Sequence, residues 1–374
     1  MFCIDRISLR EIHLELKEPF RISSGVESTR RVLLLELFER GGGSVWAECV
    51  APAFPNYSPE TIDTAWLAIR EWFAPRLLGR RVEAPDAVYA LLSRDIRGHN
   101  MAKAALEMGT WGLTAELEKR SLASLLGGTR THLPTGISLG IQRTPELLVE
   151  RALAAVAAGY RKIKLKIQPT QDIEYVRAVR AAVGPDVEIM ADANAAYTLD
   201  DADHLAELDP LDLLMLEQPL GADALLQLAE LQRRLATPLC LDESIVDLSR
   251  AKDMIALECG RIINIKPGRV GGFLPSKEIH DVCQAAAIPV WCGGMLESGV
   301  GRAYNVALAS LPNFSLPGDL SPSARYWARD IVTPEWTMNA DGLVPVPHDR
   351  PGLGVEVDRE MIEGLTVRTE ELVA

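Results

Sequence analysis

Charged residues recur at the ends of short apolar runs, at a spacing of one strand plus one helix. Lys166 in KIKLK, Asp192 in IMADAN, Glu217 in MLEQP, Asp242 in CLDES and Lys266 in INIKPG follow one another at steps of 26, 25, 25 and 24 residues. In a parallel β/α barrel every strand delivers its last residues to the same end, so charges placed at this phase converge on one pocket. Three carboxylates flanked by two lysines at that end have the makings of a divalent-metal acid/base site.

The surrounding sequence supports the barrel. From about Leu133 the runs TGISLGI, KIKLKI, VEIMADA, LLMLE, PLCLDE, IINIK and IPVWCGG alternate with helical patterns, and a last run near Phe314 to Leu316 makes eight. Continuous apolar runs are what a parallel sheet covered on both faces requires. The regular repeat favours a closed barrel over an open doubly wound sheet. At 374 residues the chain exceeds the roughly 250 of one barrel, so a second unit is expected. Residues 3 to 15 and 30 to 50 read as strands, with VLLLELFE and SVWAECV joined by a turn at Gly41-Gly42-Gly43. Phe20 to Gly25 reads as a loop, and helices run from an N-cap at Ser58 to about Lys119. After Leu320 a proline- and glycine-rich stretch is expected to return to the N-terminal unit. The fold class is therefore α/β, a (β/α)8 TIM-like barrel with an α+β capping domain. The divisions fall at 1–125, 126–320 and 321–374, the first and last together forming the cap.

Composition excludes several function classes. The net charge is -13 and the basic residues form no block, which argues against a nucleic-acid partner. Apolar stretches such as Val32 to Leu35 fall far short of the roughly 20 residues of a membrane span, and the charged N-terminus does not read as a signal peptide. The six cysteines include no CxxC pair and the six histidines no HxxxH pair. Free thiols in a reducing cytoplasm are expected, and a zinc site is not.

Alternation in Lys162-Ile163-Lys164-Leu165-Lys166 puts three lysines on one face of a strand and aliphatics on the other. In a barrel the aliphatics meet the helices and the lysines point inward, Lys166 nearest the mouth. Asp192, Glu217 and Asp242 end three consecutive strands, where they repel unless a cation neutralises them. All-oxygen ligation suits Mg2+ above Mn2+. Asn194 projects to the same side as Asp192, as a further ligand or support, while Glu243 faces away from Asp242 on an ideal strand. Lys266 approaches from the side opposite Lys166, and Arg269 is either an aid to it or a plain surface arginine.

The motifs KIKLK, DAN, EQP, LDES and NIKPGRVGG resemble the enolase superfamily, in its muconate-lactonizing branch. WCGGMLESGVGRAYNVALASLPNFSLPGDLSPS and PFRISSG are most similar to its o-succinylbenzoate synthase and N-succinylamino acid racemase family. The resemblance implies Asp192, Glu217 and Asp242 as Mg2+ ligands and Lys166 and Lys266 as acid/base lysines. It further implies that Lys164 meets the substrate carboxylate and that Ser138 lines the pocket. Ser23-Ser24-Gly25 would belong to a closing N-terminal loop, with Ser24 against the substrate. Gly293 and Gly294 suit a close approach of backbone to ligand, or simply a tight turn. Two departures from the family pattern, Ala51-Pro52-Ala53-Phe54 and Tyr326, bear on the side-chain pocket. A cytoplasmic homo-oligomer is the implied assembly.

The reaction so implied is abstraction of the proton α to a carboxylate through an enediolate. Loss of a β-hydroxyl from a cyclohexadiene carboxylate would give o-succinylbenzoate, as in menaquinone biosynthesis. Return of a proton from the opposite lysine would racemise an N-acylamino acid. Both activities are expected in one chain. Dipeptide epimerase and muconate cycloisomerase are competitors on the same scaffold; the epimerases usually carry an Asp-X-Asp pair where this chain has only Asp319. A Schiff-base aldolase would need one buried lysine and leaves the carboxylates unexplained.

Overall fold

The computed structural model describes residues 1–22 and 25–374. Three antiparallel strands open the chain: β1 (Phe2–Ile22), β2 (Gly25–Glu39) and β3 (Ser44–Cys49). The turn between β2 and β3 holds Gly42 and Gly43 at φ of 104° and 102°, a region that only glycine occupies freely. Within the expected loop at Phe20–Gly25, Phe20, Arg21 and Ile22 are instead strand residues, paired to Glu27, Val26 and Gly25. Small polar residues there lower strand propensity, but the ladder supplies the backbone hydrogen bonds. Ser23 and Ser24, and with them the expected substrate contact of Ser24, lie outside the described residues.

Val32 to Leu37, Glu36 included, are all buried, since the sheet is covered on both faces. The long helix α1 (Asn100–Leu117) lies against β2 and β3. The first helix of the cap begins at Ile62, capped by Thr61 in a reciprocal pair with Thr64, and not at Ser58. Ser58 spends its hydroxyl on the backbone N–H of Glu60, a local turn that precedes the helix.

The second sheet is parallel and follows chain order: β4 (Gly136–Leu139), β5 (Lys162–Lys166), β6 (Glu188–Asp192), β7 (Leu216–Glu217), β8 (Leu239–Leu241), β9 (Ile262–Ile265) and β10 (Val290–Cys292). Some of the helices between them start with side-chain caps, among them Thr144 with Pro145 at the first position, and Asp247. The eighth position forms no ladder. Phe314 bridges Val290 and Gly318 bridges Thr135, so the segment links β10 to the stretch before β4 by single pairs. Pro312 and Pro317 have no N–H to donate, which limits pairing there.

The last strand, β11 (Thr366–Val373), adds antiparallel to the outer edge of β1. One apolar core runs through the cap and the outer faces of the barrel strands, including Ile163 and Leu165. A separate cluster of Met190, Met215, Cys240, Ile262 and Trp291 fills the barrel interior below the charged residues. No helix of the described residues is long and apolar enough to cross a membrane.

Candidate active site

Register places the charges. Lys166 pairs with Asp192 and Asp192 with Glu217 across β5, β6 and β7. Asp242 and Lys266 come directly after β8 and β9. Parallel neighbours in register point their side chains to the same face, and here that face is the barrel interior at its C-terminal end. All of these residues are buried, the three carboxylates completely.

The lysines and carboxylates interlock. Lys164 Nζ stands 2.9 Å from Asp192 Oδ2 and 2.8 Å from Glu217 Oε2, with Asp319 Oδ2 at 3.3 Å. Lys166 Nζ donates to Asp192 Oδ2 at 2.6 Å and to Asn194 Oδ1 at 2.7 Å. Across the mouth, Lys266 Nζ lies 2.8 Å from Asp242 Oδ2, and Arg269 also pairs with Asp242. Arg269 is buried, not a surface residue. Deepest is Lys162, whose ammonium has no hydrogen-bond partner among the described residues. It lies 3.5 Å from the centroid of the Trp291 ring and 3.9 Å from Asp319. A cation over an indole face is attracted by the ring quadrupole.

The electrostatics divide the carboxylates. Burial would raise Asp192, but Lys164 and Lys166 outweigh it and hold the group well below the ordinary range. Asp242 is likewise lowered, burial being overcome by Lys266 and Arg269. Glu217 goes the other way: burial and then the charge of Asp192 push it up to about 8. Glu243 rises to about 7 through burial and Asp242, and it leans inward to accept from Asn194 Nδ2 at 3.0 Å. Burial would lower the Lys266 ammonium, yet Asp242 keeps it above the ordinary lysine range. Lys164 is raised well above it by Asp192, Asp319 and Glu217 against the effect of burial.

A cavity of about 330 Å3 opens above this array. Lys166, Asn194, Lys266 and Gly294 form its floor, and Phe20, Gly25, Arg30, Pro52, Ala53, Phe54 and Tyr57 of the cap form part of its walls. The Pro52-Ala53-Phe54 stretch, one of the departures from the family pattern, thus borders the cavity. Ser138 is next to Lys164 in register and its buried hydroxyl has no partner among the described residues, but it does not line the cavity. Gly293 leaves room for Lys266, since a Cβ there would lie 2.7 Å from Lys266 Cε. Tyr326 is buried and is not among the lining residues.

Four further residues take part that the sequence analysis did not assign to the site. Asn264 donates to Glu217 Oε1 at 2.7 Å, Asp319 joins Lys164 and Lys162, Trp291 floors the barrel, and Tyr57 reaches in from the cap. Asn264 alternates with Lys266 on its strand, so the period of two would have found it.

Comparison with known proteins agrees with this architecture. Residues 147–361 match the family described as enolase C-terminal domain-like, and residues 6–127 match the mandelate racemase / muconate lactonizing enzyme N-terminal domain. The chain belongs to the enolase superfamily. Within the superfamily it is 47% identical over 363 residues to an o-succinylbenzoate synthase of Geobacillus stearothermophilus, covering 97% of this chain and 96% of that one. It is 48% identical over 360 residues to an N-succinylamino acid racemase of Amycolatopsis sp, covering 96% of each. A crystal structure of an enolase superfamily member from Listeria innocua superposes with a TM-score of 0.96 at 39% identity, covering 100% of both chains. These relatives define an o-succinylbenzoate synthase and N-succinylamino acid racemase family, and the chain is an enzyme of that family, in the lyase and isomerase classes.

Proposed function

We propose that the chain removes the proton α to a carboxylate and then either racemises an N-succinylamino acid or forms o-succinylbenzoate by loss of a hydroxyl. The observation that carries this reading is the placement of Lys166 and Lys266 on one cavity floor, each against its own carboxylate. A neutral lysine on one side takes the proton, leaving an enediolate; an ammonium on the other side returns one to the opposite face. Dehydration needs one such lysine and racemisation needs both. Lys164, buried among acids and kept charged, is suited to pair with the substrate carboxylate.

The residues present fit a hard divalent cation. As the side chains lie, no three His, Cys, Asp or Glu among the described residues surround a common point, because ammonium groups stand between the carboxylates. The donor set is nevertheless three fully buried carboxylates, the all-oxygen chemistry a hard divalent cation takes. Asp192, Glu217 and Asp242 would hold Mg2+, which supplies a Lewis acid for the charge that develops on the substrate carboxylate. Dipeptide epimerisation is not favoured: Asp319, where an Asp-X-Asp pair would grip a peptide amine, is committed to Lys164 and Lys162. Muconate cycloisomerisation is likewise not favoured by relatives above 40% identity.

Proton NMR with Mg2+ and N-succinyl-L-phenylalanine in D2O, with polarimetry alongside, tests the reading. Exchange of the α-proton with loss of rotation supports two-base racemisation. Exchange with retained rotation leaves one productive lysine and the dehydration; absence of exchange and of o-succinylbenzoate formation would sink the proposal.

A further inference from the structure

We infer that Tyr57 is a positioning residue for Lys266, through which the cap holds one of the two lysines and not the other. The inference rests on the reading that Lys266 moves the α-proton. Tyr57 follows β3 in the capping unit and is 209 residues from Lys266 in sequence. Its hydroxyl donates to Asp242 Oδ1 at 2.9 Å and accepts from Lys266 Nζ at 3.1 Å and Arg269 Nη1 at 3.3 Å. A phenol has one proton and two lone pairs, so these three bonds use its whole capacity. Lys266 Nζ also lies 4.5 Å from the centroid of the Tyr57 ring, inside cation–π range.

Lys166 is held by a different set of groups. Its ammonium is fixed by Asp192 and Asn194, both from β6 and the loop that follows it, within the barrel. Tyr57 holds Lys266 through its hydroxyl while the same residue lines the cavity. Any change at Tyr57 therefore acts on the two sides of the substrate unequally. A residue that merely packed the cap onto the barrel would disturb both sides alike.

Tyr57→Phe keeps the ring and deletes the hydroxyl. The experiment follows α-proton exchange in D2O for N-succinyl-L-phenylalanine and its D enantiomer separately, in the wild type, Tyr57→Phe and Lys266→Ala. Lys266→Ala identifies the enantiomer deprotonated by Lys266, as the one whose exchange disappears. We expect Tyr57→Phe to slow that same enantiomer by about tenfold, the effect of one lost hydrogen bond of roughly 1.4 kcal/mol, and to leave the other within about twofold. Equal slowing of both enantiomers, slowing of the other alone, or no change overturns the inference. If the wild type exchanges neither enantiomer, the proposed function falls, and a crystal structure of Tyr57→Phe decides this point by itself. Lys266 Nζ displaced from Asp242 then supports the positioning role, and an unmoved Lys266 overturns it.

Discussion

Gly293 and Asn264 are so close that a Cβ on the glycine would lie 2.6 Å from the asparagine Nδ2. That same Nδ2 donates to Glu217 Oε1, so the absent side chain at 293 preserves a bond to a buried carboxylate. Gly293→Ala is predicted to push Asn264 and Lys266 out of place. Overpacking of this kind costs about 1–3 kcal/mol, to be read as a lower midpoint in urea, and activity should fall by more than the unfolded fraction explains.

The lysines should separate by stereochemistry. Lys166→Ala and Lys266→Ala are each predicted to abolish racemisation while leaving exchange of opposite enantiomers. Loss from one lysine deletion should be on the order of 10³-fold or more, the scale of a general base. Racemisation surviving in either variant would refute the two-base scheme.

Divalent metal should stabilise the fold. Ligand that binds only the native state adds about 2.7 kcal/mol at a hundredfold excess over its Kd, so Mg2+ is predicted to raise Tm and EDTA to remove activity. Glu217→Gln should lose most of that rise, since an amide is a weaker ligand than a carboxylate for a hard cation. Differential scanning calorimetry with and without Mg2+ checks both.

Stability should depend on the ionisation of Glu48, which ties the cap to the barrel. Its carboxylate accepts from Ser298 Oγ at 2.6 Å and from the backbone N–H groups of Ser298 and Gly301 at 3.1 and 3.0 Å. Burial, and to a lesser extent Glu297, raises it to about 7, although the Ser298 bond opposes this. The folded protein thus holds this proton more tightly than the unfolded chain. The stability it contributes is complete below about pH 4.5 and is lost as pH rises through about 7. Glu107, also raised to about 7 by burial, acts in the same direction. Glu48→Gln is predicted to flatten the fall of Tm over that window by the share of one group; an unchanged slope would contradict the assignment.

Much of the site was legible because strand geometry converts spacing into direction. Alternation along KIKLK placed three lysines inside and Ile163 and Leu165 outside, and the core clusters divide in that way. The step of about 25 residues aligned Asp192, Glu217 and Asp242, because each β/α unit returns the chain to the same end of the barrel. Local signals were less secure. Thr61, not Ser58, caps the first helix, since both residues have the chemistry of a cap and only the path of the chain chooses between them. The strand pairing at Phe20 to Ile22 depends on Gly25 to Glu27 lying opposite, which propensity does not report.

The sequence by itself determined the barrel, the phase of its charges and the family, because period and motif are properties of the chain order. Tertiary structure decided which cation meets which carboxylate. It set Lys164 between Asp192 and Glu217, turned Glu243 toward Asn194, buried Arg269 on Asp242 and brought Tyr57 from the cap onto Lys266. Such pairings join residues far apart in the chain, and they follow from how the cap sits on the barrel mouth and from the need of each buried charge for a partner.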